Sequence, residues 1–67
     1  MQATDQDRAL IKRIQLEAAG RLHTEGAVDR RPFQRLEELG WLVGASLNLN
    51  EVLYTITELG AKEALRD

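Results

Sequence analysis

The spacing of the apolar residues changes at Gly40. Before this glycine, large apolar side chains recur every three or four residues, which is the period of an amphipathic helix. After it, short apolar segments alternate with polar residues, which is the period of a strand. The sequence therefore predicts a small α+β domain in which two helices precede a β-hairpin and one helix follows it.

The first periodic segment predicts a helix over Thr4–Leu22. Thr4 or Asp5 is a suitable N-cap, because a short polar side chain can accept a hydrogen bond from a free amide of the first turn. Leu16 lies opposite the apolar stripe, so it is either a single exposed leucine or part of a second contact surface that would pair two copies as a homodimer. The stripe consists of Leu10, Ile11, Ile14, Ala18 and Leu22.

The second helix is predicted over Asp29–Leu39, after a connector over His23–Val28. Asp29 is a good N-cap, and Pro32 then lies in the first turn, where its missing amide proton costs nothing. Gly40 follows as a C-cap in the left-handed region. The outer side of this helix is polar and carries Arg30, Arg31, Gln34, Arg35 and Glu38.

The hairpin is predicted from the strands Trp41–Ser46 and Glu51–Thr57, with a turn over Leu47–Asn50. Asn48 and Asn50 suit this turn because asparagine tolerates positive φ. Thr57 is a natural N-cap for a last helix over Glu58–Arg66. The expected core comprises Leu10, Ile11, Ile14, Phe33, Leu36, Leu39, Trp41, Leu42, Tyr54, Ile56, Leu59 and Leu65.

Length and composition limit the classes of protein that remain. A chain of 67 residues without cysteine predicts one small domain over 1–67 with no disulfide. No apolar run approaches the roughly 20 residues that span a bilayer, and the polar start predicts no signal peptide. We therefore expect a cytoplasmic protein with no membrane partner. The net charge of −2 is unlike that of a nonspecific nucleic-acid binder, so any DNA contact must come from a local basic patch.

Two segments carry a resemblance to a known family. Leu36–Leu42 reads LEELGWL, and Tyr54–Leu65 reads YTITELGAKEAL. Phe33–Leu65, which contains both, resembles the second half of a winged helix domain of the MarR and PadR transcription-regulator type. The resemblance implies that Asp29–Leu39 is the recognition helix and that a two-stranded wing follows it. The helix that usually precedes a recognition helix is missing here or reduced to a turn.

This resemblance implies a small regulator of bacterial or phage type that binds double-stranded DNA. The arginines could then contact phosphates or guanine, and the glutamine could contact adenine. The alternative is a protein-interaction module, such as a phage- or mobile-element-encoded inhibitor, that docks on a partner protein through the same helix and wing. A solvated helix face is the third interpretation. The candidate contact residues are Arg30, Arg31, Gln34, Arg35, Asn48 and Asn50.

No pattern of residues indicates catalysis, a cofactor or a metal. Ser46 has no base at a readable spacing, and the acidic residues do not form a pair with an identifiable cleft. His23 is the single histidine, and a metal site there would need carboxylates such as Glu25 and Asp29. We interpret it as a surface residue of the connector. The sequence thus predicts a binding protein that is not an enzyme.

Overall fold

The computed structural model describes residues 2–66 and has three helices and a three-stranded antiparallel sheet. The sheet order is β1-β3-β2, with β2 and β3 joined as a hairpin. This α+β architecture is compatible with a small winged-helix-like fold and confirms the predicted fold class. In chain order the elements are α1 Asp5–Glu17, β1 Arg21–Glu25, α2 Arg31–Glu38, β2 Leu42–Asn48, β3 Glu51–Ile56 and α3 Glu58–Ala64.

Helix α1 begins as predicted and ends earlier than predicted. Thr4 is its N-cap, and the Thr4 hydroxyl accepts a hydrogen bond from the amide of Asp7 at 3.2 Å. The helix ends at Glu17, because Ala19 and Gly20 have φ angles of 52° and 80° and turn the chain out of the helical path. The predicted extension to Leu22 is therefore wrong.

The segment after this turn is a strand. Residues 21–25 form β1 and pair with β3, so that Leu22 lies opposite Tyr54. The connector predicted over His23–Val28 is wrong for its first three residues, while residues 26–30 contain no helix or strand. The strand is stabilised by partners that lie about 30 residues away, and local periodicity carries no information about such partners. The additional helix that usually precedes a recognition helix is absent from residues 26–30.

Helix α2 is shorter at its start than predicted. Its N-cap is Arg30 rather than Asp29, although the Asp29 carboxylate still accepts a hydrogen bond from the amide of Arg31 at 3.1 Å. At the other end, Gly40 has a φ of 80°, and the amides of Gly40 and Trp41 each donate to a carbonyl of the last helical turn at 2.9 Å. This confirms Gly40 as the residue that ends the helix.

The hairpin is confirmed with small changes in its bounds. Strand β2 starts at Leu42 and continues to Asn48, and β3 ends at Ile56, so the turn consists of two residues, 49 and 50. The register shifts between Ser46 and Asn48, which marks a β-bulge at the end of β2. Thr57 caps α3 as predicted, with its hydroxyl accepting from the amide of Gly60 at 3.0 Å, but α3 ends at Ala64 rather than Arg66.

The core lies between the sheet and the three helices. Its buried apolar residues are Ile11, Ile14, Leu36, Trp41, Leu42, Tyr54 and Ala64. Two predicted core residues are exposed instead, Leu59 by 52% and Leu65 by 69%. Helix α3 buries Gly60 and Ala64 in their place, and Gly60 lies so close to the backbone of Trp41 that a Cβ there would clash with the Trp41 carbonyl oxygen. Leu16 is exposed, as both interpretations of this residue require.

One face of the sheet packs against the helices and the other is open. Leu22, Tyr54 and Ile56 point toward the helices, whereas His23 and Thr55 point away from them and are exposed. This arrangement leaves the open sheet face, the hairpin and the outer side of α2 as the surfaces available for binding. No helix within residues 2–66 is long and apolar enough to cross a membrane.

Candidate binding surface

Helix α2 brings four of the six predicted contact residues to one part of the surface. Gln34 is exposed, and Arg31 has 85% of its side chain accessible. Arg30 and Arg35 are half-buried because their side chains lie against neighbouring segments. The four residues are thus close in sequence and differ in how freely they can reach a ligand.

Arg35 is bound to a buried carboxylate of α1. Its Nε and Nη2 donate to the two Asp7 oxygens at 2.9 and 2.7 Å. Asp7 is only 5% exposed and also accepts from the amide of Thr4 at 2.9 Å. The hydrogen bonds from Arg35 hold the pKa of Asp7 well below its usual range, and the same pair raises the pKa of Arg35. Arg35 therefore joins α2 to α1 and cannot leave this site without uncovering a buried charge.

The role of Asp7 as the partner of Arg35 was not predicted from the sequence. The signal that could have identified Asp7 is the spacing of Thr4 and Asp7, which form a reciprocal capping box at the start of α1. Such a box fixes the carboxylate in place. Its second partner, Arg35, is 28 residues away and could not be inferred from spacing.

Arg31 is bound to the aspartate just before α2. Its Nε and Nη2 lie 3.0 Å from the two Asp29 oxygens. These hydrogen bonds lower the pKa of Asp29 and raise that of Arg31. Both side chains are exposed, so the pair is screened by water and can open at little cost.

Arg30 is directed toward the hairpin. Its Nη2 lies 3.4 Å from the carbonyl oxygen of Asn50 and 3.5 Å from that of Gly26. Its Nε is buried without a hydrogen-bond partner among the described residues. Arg30 thus connects the loop before α2 to the tip of the hairpin.

We call the hairpin of residues 42–56 the wing. The two predicted asparagines of the wing are occupied in forming its turn. Asn48 accepts from the amide of Asn50 at 2.8 Å, and its Nδ2 donates to the Glu51 carboxylate. The carbonyl of Asn50 accepts from the amide of Gly26 at 2.8 Å. Both asparagines are exposed and yet serve the turn and the adjacent loop.

The wing presents apolar side chains to solvent. Leu49 at its tip is 99% exposed, Leu47 is 56% exposed and Val43 is 58% exposed. The wing contains no lysine or arginine, and Glu51 is its single charged residue. Its surface is therefore apolar with one negative charge.

An apolar groove lies beside α2, where α1, β1 and α2 meet. Leu10, Ile14, Leu22 and Phe33 line its floor, and Arg13 and Glu17 lie at its edge as an ion pair of 3.7 Å. This groove was not predicted from the sequence, because Leu22 continues the helical spacing of α1. No residue of the described loop 26–30 lines it.

A family model described as DUF3860-like matches residues 3–66. Because this match covers nearly the whole chain, the chain belongs to the DUF3860-like family. No curated protein has significant similarity to it.

Proposed function

We propose that this member of the DUF3860-like family is a non-enzymatic, cytoplasmic protein-docking module of winged-helix type that binds a partner protein through α2 and the wing. One observation carries the proposal. Arg31 and Arg35 of α2 and the N-cap residue Arg30 already have acceptors within the molecule, while the wing exposes leucines where a DNA-binding wing would be expected to present cations.

The arginine contacts reduce the attraction of α2 for a polyanion. Asp7 and Asp29 neutralise two of the guanidinium groups, and Glu37 and Glu38 add negative charge at the end of the helix. DNA binding is driven by the release of counterions from DNA when lysine or arginine side chains neutralise its phosphates. Side chains that are already paired with a carboxylate contribute less to this release. A surface with this balance of charge has little electrostatic attraction for DNA, and it does not repel a protein partner.

The leucines of the wing supply the attraction for a protein. Burying a leucine side chain fully is worth about 1.5–3 kcal/mol, and Leu49 is almost completely exposed. An exposed apolar side chain at the tip of a hairpin anchors a complex when the partner offers an apolar pocket. Glu51 on the wing and Glu25 beside it on β1 favour a partner whose pocket is edged by basic side chains.

The resemblance to MarR and PadR winged helices is consistent with this proposal. Winged helices serve both DNA binding and protein docking, so the architecture alone does not choose between them. The choice rests on the side chains of α2 and the wing.

The test compares wing variants in partner capture. The full chain, its Leu47→Ser/Leu49→Ser double variant and a Leu65→Ser control are immobilised, and retained proteins from the source cells are identified, purified and titrated by calorimetry. Leu65 is a matched control because it is an exposed leucine at the end of α3, outside the wing. We expect the double variant to bind the purified partner roughly tenfold or more weakly. Equal affinity for the wing variant and wild type would contradict the proposal.

Double-stranded DNA is the second candidate, because Gln34 and the Arg31 guanidinium are exposed on the outer side of α2. Fluorescence anisotropy with mixed duplex DNA at two salt concentrations tests it. Steep salt dependence, reduced in an Arg31→Ala/Gln34→Ala variant, would support DNA binding and replace the docking proposal. No binding at low salt would remove DNA as a ligand.

Self-association through α1 remains a prediction of its own. Leu16 is 78% exposed and lies on the side of α1 that faces away from the core. If two copies pair there, sedimentation velocity will show a concentration-dependent dimer, and Leu16→Lys will abolish it. A monomer throughout the high-micromolar range would rule out this contact.

A further inference from the structure

Three potential metal ligands meet on the open face of the sheet. His23 and Glu25 are two residues apart on β1, and Glu51 on β3 is the direct cross-strand neighbour of Glu25. The ring nitrogens Nδ1 and Nε2 of His23 lie 3.5 Å from a Glu25 oxygen and 3.4 Å from a Glu51 oxygen. One nitrogen and one oxygen from each carboxylate all lie within 4.8 Å of one another.

This arrangement places two carboxylates side by side. Like charges directly opposite on neighbouring strands are unfavourable, so a bound cation would stabilise the pair. The Glu51 carboxylate is also held in position, because Asn48 Nδ2 donates to one of its oxygens and leaves the other directed at His23. A hydrogen-bonded carboxylate of this kind is typical of metal ligands.

We propose that His23, Glu25 and Glu51 form a binding site for a divalent transition-metal ion, with Zn²⁺ as the best fit. Imidazole and carboxylate are both good ligands for zinc, and a tetrahedral ion with bonds of about 2.0–2.2 Å places its ligand atoms about 3.3–3.6 Å apart. Only one ring nitrogen of His23 can bind the ion, and either nitrogen already has one carboxylate oxygen in this range, that of Glu25 for Nδ1 or that of Glu51 for Nε2. Rotation of the other carboxylate brings the third ligand atom to the same ion, since the three ligand atoms lie within 4.8 Å of one another.

The site has room for ligands from outside the chain. Three protein ligands leave the fourth tetrahedral position to water or to a donor from another molecule. The side chains of His23, Glu25 and Glu51 are 41%, 68% and 32% exposed, so that position is open to solvent. The ion would join β1 to strand β3 of the wing, and it would neutralise the negative charge that Glu25 and Glu51 present there in its absence.

The test is a calorimetric titration of the untagged full chain with ZnCl₂. We expect saturable binding of one ion per chain and a melting temperature that rises with zinc, since the ligands are brought together only in the folded state. His23→Gln and Glu51→Gln should each weaken binding at least tenfold and remove the rise in melting temperature. Asn48→Ala should weaken it by about 10–100-fold through loss of orientation.

The control is Glu58→Gln, which removes an exposed carboxylate outside the cluster and should leave zinc affinity unchanged. Because His23 is the single histidine, its ring protons can be followed by NMR without assignment and should shift until one equivalent of zinc is added. Circular dichroism checks that each variant is folded. Absence of saturable binding, wild-type affinity in both ligand variants, or half an ion per chain with dimer formation would overturn the proposal.

Discussion

Asp7 accepts hydrogen bonds from two different parts of the chain. It completes the cap of α1 with Thr4, and it binds Arg35 of α2 through both oxygens. The cap follows from the sequence, because the two residues are three positions apart. The bond to Arg35 does not, because the relative placement of two helices depends on the whole core. Arg35, which was predicted from the sequence to contact a ligand, thus has a structural role in joining α2 to α1.

The two aspartate-arginine pairs of α2 allow a matched prediction. Asp7→Asn removes a buried charge and should lower the free energy of unfolding by about 1–2 kcal/mol, a value reduced by the partial exposure of Arg35. Asp29→Asn removes an exposed charge with the same bidentate geometry and should change stability little. Urea denaturation at neutral pH measures both, and equal effects would contradict the structural role of Asp7.

The same pair predicts a pH dependence. Because the pKa of Asp7 is lowered in the folded state, its contribution to stability is present above the unfolded pKa of about 4 and is lost as the pH falls toward the lower, folded value. Wild type should therefore lose more stability than Asp7→Asn between about pH 5 and pH 2. Parallel curves for the two proteins would show that folding does not lower the pKa of Asp7.

At the level of the elements, the helices and strands that local sequence signals define were predicted. Strand β1, which no local signal defines, was not. The caps at Thr4, Gly40 and Thr57 were identified because each has a short-range hydrogen-bond pattern. Strand β1 was assigned to the first helix and a connector, because Leu22 continues the three- and four-residue spacing of α1. Only pairing with β3 determines that this residue lies in a strand.

The boundary between α1 and β1 depends on Gly20. This residue has a φ of 80°, and a Cβ there would lie 2.7 Å from Cγ2 of Ile56. Gly20→Ala should therefore lower the free energy of unfolding by about 2–4 kcal/mol, from backbone strain and overpacking together. Thermal or urea denaturation followed by circular dichroism measures the change.

Gly26→Ala is the control for this prediction. Gly26 has a similar φ of 73°, but no atom would contact the new Cβ within 4 Å. Gly26→Ala should lower the free energy of unfolding by about 1 kcal/mol, from backbone strain alone. If the two variants are equally destabilised, the contact between Gly20 and Ile56 does not constrain the start of β1.

On the scale of the whole molecule, one apolar cluster connects every helix to the sheet. Ile11 and Ile14 come from α1, Leu36 from α2, Leu42 and Tyr54 from the hairpin. The sequence identified most of this cluster, since periodicity shows which side of an element is apolar. It did not show that α3 packs closely through Gly60, because periodicity favours large residues such as Leu59 over a residue without a side chain.

Leu36 and Leu59 therefore give a test of the whole core. Leu36 is fully buried, so Leu36→Ala should cost about 2–5 kcal/mol, a large part of the roughly 3–10 kcal/mol available to a domain of this size. Leu59 is 52% exposed, and Leu59→Ala should cost less than about 1 kcal/mol. Urea denaturation followed by tryptophan fluorescence is a suitable measurement, because the single tryptophan, Trp41, belongs to the same cluster. Comparable losses in the two variants would mean that α3 packs through Leu59, in the way that its sequence alone suggests.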